Sequence, residues 1–128
     1  MAKTALYLIL GILALPAHAQ ALKGELACKT AGTDFVYDCT LRLTRGGKPL
    51  EGAQVTVGAD MPAMPMAHNV KAQKARPGTR PGEYVVRLDL EMLGEWAVRL
   101  RLRGPVRDQL ILHYEFGDKG AVPVRRRR

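Results

Sequence analysis

No nucleophile elbow, metalloprotease helix, glycine-rich phosphate loop or paired-acid motif occurs in the 128 residues. Each absence removes a reaction class whose chemistry needs those groups at a fixed spacing. The 12 acidic residues are scattered through the chain. Asp89, Glu91 and Glu95 gather near one turn, but with no histidine or nucleophile beside them in the sequence they read as solvated charge. The chain is therefore expected not to be an enzyme. Helical periodicity is missing too, which excludes a bundle. Apolar runs are short: crossing a bilayer as a helix takes about 20 residues, and the longest here, Ala5 to Leu15, has 11.

That run lies inside what reads as an export signal over residues 1–19. Lys3 precedes it, and Pro16 and the small-residue site Ala17-His18-Ala19 follow. No twin-arginine pair precedes the run and no cysteine follows the cleavage site, so general secretion to a periplasmic or otherwise exported location is expected, with no lipid anchor. Cleavage before Gln20 would leave one domain, residues 20–117, and a basic tail, residues 118–128. Loss of Lys3 takes the net charge from +8 to +7. Arg125 to Arg128 close the tail. A run of this kind is ordinarily solvated, and it suits a weak, salt-dependent contact with anionic lipid. Nucleic acid is not an expected partner of an exported chain.

The remainder alternates in short segments cut by glycine and proline, the pattern of an all-β protein. Seven strands are expected: Leu22 to Lys29, Phe35 to Arg45, Ala53 to Ala59, Val70 to Ala75, Tyr84 to Leu90, Trp96 to Arg103 and Val106 to Phe116. Phe35, Tyr37, Cys39, Leu41 and Leu43 take the inward phase of the second, Val55 and Val57 that of the third, and Trp96, Val98, Leu100 and Leu102 that of the sixth. Such strands, with turns every eight to twelve residues, favour an antiparallel immunoglobulin-like β-sandwich with Trp96 as a core anchor. Arg99, Arg101 and Arg103 fall on the outward phase as a basic stripe, which Arg87 joins if its strand pairs with theirs. The stripe reads first as a solvated sheet face.

Cys28 and Cys39 are the only cysteines. An even count in an exported chain points to a disulfide. With Thr33-Asp34 as the turn centre, Cys28 falls opposite Cys39 and Leu26 opposite Leu41. Opposing residues of a non-hydrogen-bonded antiparallel pair have the separation that a bridge needs. Once bridged, the two sulfurs are lost to thiolate zinc chemistry, and their spacing is not that of a redox pair.

One segment points to chemistry. Asp60-Met61-Pro62-Ala63-Met64-Pro65-Met66-Ala67-His68 holds three of the five methionines and one of the three histidines, punctuated by two prolines. Thioether and imidazole suit soft copper ions, Cu(I) above all, and neither must lose a proton to bind at neutral pH. Met61, Met64, Met66 and His68 are the candidate ligands. Fully extended, Met64 and His68 would lie about 13 Å apart, so the segment must bend to gather them. Methionine also fills irregular gaps, and the same residues would serve as a cap on one open end of the core. His113, on the outward phase of the last strand, joins a site only if that strand lies beside the loop. His18 leaves with the leader.

The stretch from Ala59 to Asn69, with Pro81-Gly82-Glu83-Tyr84, Leu88-Asp89-Leu90-Glu91-Met92, Gly94-Glu95-Trp96 and Gly104-Pro105, resembles the YtkA-like family, related to FixH. The resemblance runs from about Cys28 to Leu112. It implies a small exported β-sandwich connected with heavy-metal handling or copper-dependent oxidase assembly, without an established enzymatic activity. FixH-type members keep a membrane span where this sequence has its short apolar run. Two functions follow as expectations: a periplasmic copper-binding or carrier module that uses the Met/His loop, or a non-metal, non-catalytic module that docks on a membrane transporter or assembly protein.

Overall fold

The computed structural model describes Gly11 and residues 21–125. The expected signal peptide over residues 1–19 and the last three tail arginines, Arg126 to Arg128, lie outside the described residues, apart from Gly11. Among the described residues no helix is long and apolar enough to cross a membrane.

Among the described residues all regular structure is β, in two antiparallel sheets packed face to face. The strands are β1 (Leu22–Thr30), β2 (Val36–Arg45), β3 (Lys48–Pro49), β4 (Gln54–Asp60), β5 (Asn69–Lys74), β6 (Arg76–Pro77), β7 (Glu83–Asp89), β8 (Gly94–Arg103), β9 (Asp108–Gly117) and β10 (Gly120–Pro123). One sheet runs β1-β2-β7-β6, with β3 on β2, and the other runs β10-β9-β8-β4-β5. The seven expected strands are all present. β3 and β6 are two-residue additions, too short to show a period. β10 lies within residues read as tail: Gly117-Asp118-Lys119-Gly120 turns the chain back and Ala121 packs against the core.

Inward-facing residues from both sheets make one core. Leu41, Leu43, Val57, Leu88, Leu90, Val98, Leu100 and Leu102 are fully enclosed, with Trp96, Tyr37 and Phe116 beside them. Phe35 departs from the expected inward phase. It adopts a left-handed conformation at φ 64 as the hairpin closes, and its side chain is left exposed. Tyrosine hydroxyls join the layers. Tyr37 Oη donates to Gly117 O at 2.8 Å, Leu26 N donates to Tyr114 Oη at 2.9 Å, and Tyr84 Oη donates to Leu50 O at 2.8 Å while accepting from Ala53 N. Each gives a buried polar group a partner that it would otherwise lack. Burial, and the nearby Asp118 carboxylate, push the Tyr37 phenol above its usual range.

The β1–β2 register is the expected one, with Leu26 opposite Leu41 and Cys28 opposite Cys39. Leu26 N points away from β2 to reach Tyr114, which marks the Leu26–Leu41 pair as non-hydrogen-bonded. Cys28–Cys39, two residues on, is of the same kind. Its Cα atoms are 4.1 Å apart and the disulfide is formed. The Cys28 carbonyl likewise points outward and meets Gly120 of β10. Gly120 has φ 126, and a Cβ there would collide with that carbonyl, so only glycine lets β1 and β10 close together.

Arg87 does not join the basic stripe. The turn after β7 carries the chain from one sheet to the other, so β7 and β8 never pair. Arg87 instead binds Asp38 across β2, at 2.8 and 3.2 Å, and this hydrogen bonding holds the Asp38 carboxyl below its usual range.

Trp96 is 1% exposed, and its Nε1 donates to Met92 O at 3.2 Å. Replacing it with alanine removes the largest side chain of the core and should lower unfolding stability by roughly 3–5 kcal/mol. Urea denaturation followed by circular dichroism would measure the change.

Candidate metal-binding loop

Four connections lie at one end of the sandwich: residues 31–35, 61–68, 90–93 and 118–119. The methionine segment is the longest of them. β4 delivers it at Asp60 and β5 receives it at Asn69, and these two residues are paired, so the loop must return to its starting point. Met61 N donates to His68 O at 3.2 Å and closes it. Within it, Met64 N donates to Met61 O at 3.1 Å, and both Ala67 N and His68 N donate to Met64 O at 3.2 Å. Pro62 and Pro65 lack the N–H that sheet pairing would use, which favours this compact path.

The four candidate ligands divide. Met61 belongs to the core, 5% exposed, with its methyl carbon against Gly94. Gly94 has φ 129, and a Cβ there would lie 3.1 Å from that methyl. Met61, expected as a ligand, is thereby set apart from the exposed Met64 and Met66. Its thioether is spent on packing, because the inward phase of β4 through Val55, Val57 and Ala59 continues one step into the loop. Met64 is 40% exposed and Met66 96%. The His68 N to Met64 O bond spans four residues, as in an α-helical turn, and draws these two positions together. The bend required of the loop is present for Met64 and His68.

A residue missed in the sequence stands behind the histidine. The buried His68 Nδ1 makes no hydrogen bond and lies 3.7 Å from Glu91 Oε2. Glu91 sits in the 90–93 connection with φ 66, a left-handed conformation that few non-glycine residues adopt. No local signal pairs positions 68 and 91, since the contact exists only because a connection within one sheet meets one that passes between the sheets. His113 lies on the outer face of β9, opposite Ala97, with Nδ1 3.5 Å from Glu95 Oε1. Two acids read as solvated charge thus face histidines.

Among the described residues no three of His, Cys, Asp and Glu are grouped closely enough to hold a metal ion. What this end offers is thioether and imidazole.

The model of the YtkA-like family matches residues 21–101. The chain belongs to the YtkA-like family. Comparison with curated proteins and with solved structures gives no match.

The two methionine environments predict opposite behaviour. Met61→Ala should destabilise the fold by about 2–5 kcal/mol, as a core truncation does. Met66→Ala should stay within about 0.5 kcal/mol of the parent, as exposed substitutions do. Thermal melts of the two variants side by side would test this.

Proposed function

We propose that this YtkA-like chain is an exported, non-catalytic module that binds Cu(I) through Met64, Met66 and His68 and passes it to a membrane transporter or assembly protein. The observation that carries this reading is the hydrogen bond from His68 N to Met64 O, which sets a thioether and an imidazole one helical turn apart at an exposed loop. Met66, two residues from each, has a flexible, solvent-facing side chain free to swing toward either. Thioethers bind soft ions without proton release and let them go readily, which suits a carrier more than a store.

Glu91 has a supporting part. Metal-binding histidines commonly turn their other ring nitrogen toward a carboxylate, which fixes the ring and strengthens the donor. With Nδ1 facing Glu91, the ring would present Nε2 to the ion. The disulfide is compatible with an oxidising compartment, where both sulfurs stay unavailable as thiolates.

A second reading rests on a different observation. Phe35, Met64, Met66 and Leu93 are exposed large apolar side chains, all in connections at this end of the sandwich. Leu90 N donates to Phe35 O at 2.9 Å, which brings two of those connections together. On this reading the end docks on a transporter or assembly protein by apolar contact and no metal takes part.

Cu(I) titration against a competing chromophoric chelator separates the two. The parent should take up one equivalent, and a Met64→Leu, Met66→Leu, His68→Ala variant should take up none. Equal and negligible uptake by both would reject copper binding. The docking reading expects Met64→Leu with Met66→Leu to leave partner capture intact, because leucine keeps the apolar surface and loses only the sulfur.

A further inference from the structure

The two sheets arrange charge on their outer faces differently. On the first, strand pairing sets Glu25, Arg42 and Glu83 in one row across β1, β2 and β7, and Lys29, Asp38 and Arg87 in another, so each cation has an acid on a neighbouring strand. Two of these pairs close, Arg87 on Asp38 at 2.8 Å and Arg42 on Glu83 at 3.4 Å. On the second, Lys74, Thr56, Arg101 and Gln109 make one row across β5, β4, β8 and β9, and Gln54 and Arg103 make the next. Neither row holds an acid.

Opposite charges on adjacent strands attract, and this half of the second sheet forgoes that gain. Its nearest cross-strand acid, Asp60, lies toward the methionine loop and is taken by Arg99, at 3.0 and 3.2 Å. Arg101, Arg103 and Arg107 border a recess of about 510 Å³. Asp108 is the one acid lining it, and its Oδ1 accepts from Gln109 N at 2.7 Å. Lys74, Arg101, Arg103 and Arg107 are exposed and have no ion pair among the described residues.

We infer that this recess and its basic rim dock an extended acidic segment of a partner protein, with its acids at alternate positions. Charge complementarity is the first reason, since carboxylates that the fold withholds from these cations must come from outside. Spacing is the second. Arg101 and Arg103 are alternate residues of β8, so their Cα atoms stand about 6.7 Å apart, the interval between same-side residues of any extended chain. Successive carboxylates of such a segment meet successive guanidinium groups, each able to hold one through two hydrogen bonds. Arg107, on the connection to β9, and Lys74, two strands from Arg101 at about 10 Å, flank this line. Gln54, Thr56 and Gln109 stand between the cations and offer neutral hydrogen-bonding groups to the backbone of the segment. The surface lies at the far end of β4 and β8 from the methionine loop, so a docked segment leaves that loop uncovered.

The test is fluorescence anisotropy of the full chain with a labelled peptide of about ten residues in which glutamate alternates with threonine, a pattern that sets the acids on one side of an extended chain. Binding should weaken as salt rises. Arg101→Gln, Arg103→Gln and Arg107→Gln, combined, should weaken it roughly threefold per replacement. Lys23→Gln, Lys29→Gln and Arg76→Gln, combined, remove the same charge from exposed positions of the first sheet and should leave binding within about twofold of the parent. A peptide of the same composition with its glutamates in one block should bind less tightly. Matching thermal melts would show that both variants fold. Full binding by the Arg101, Arg103, Arg107 variant, an equal loss in the first-sheet variant, or equal affinity for the two peptides would overturn the inference. So would tighter binding to phosphatidylglycerol vesicles than to the alternating peptide. The Met64→Leu, Met66→Leu, His68→Ala variant should bind the peptide as the parent does, so failure of the copper reading would leave this result unaffected.

Discussion

The layer of aliphatic and aromatic side chains between the two sheets fixes where every connection begins and ends. A strand slipped by one residue would turn its whole inward set out into water, so the register of β4 against β8, or of β1 against β2, has little freedom. Met61 extends this constraint into the loop. Because its side chain sits in the core against Gly94, the loop is held at its first residue, and the bond from Met61 N to His68 O holds its last. What lies between is short enough that Met64 and His68 fall on one turn. The loop owes its geometry to a methionine anchored in the core.

Much of the fold was legible because strand alternation is a local property. The turn at Thr33-Asp34 was enough to place Cys28 opposite Cys39, and the inward phases of β2, β4 and β8 hold from Tyr37 to Leu43, from Val55 to Val57 and from Trp96 to Leu102. Sheet membership is not local. Nothing in the residues around Met92-Leu93-Gly94 shows that the turn there passes between sheets, and for that reason the sequence left open whether Arg87 lies beside Arg99; it lies across from Asp38. β10 was hidden for another reason: four arginines gave residues 118–128 the look of a tail, while Ala121 and Val122 provide too few alternating positions to stand out.

The candidate site shows the same division. Residue types pointed to the loop, and proline placement pointed to its bending. Which methionine faces inward depended on how far the period of β4 continues, and the sequence leaves that open at Pro62. Glu91 needed the tertiary structure outright, since its approach to His68 joins the β4–β5 and β7–β8 connections.

Where Gly120 meets the Cys28 carbonyl, two strands that would each be a sheet margin cover one another. An uncovered margin is a template on which another chain can add a strand and begin a fibril. On the opposite side β5 carries Lys71 and Lys74 and an irregular register against β4 between Val57 and Ala59, both of which discourage such growth. Exchanging Gly120 for any residue with a Cβ would drive that atom against the Cys28 carbonyl and open both margins to solvent. The absence of a side chain at one position thus guards the molecule against polymerising at its seam.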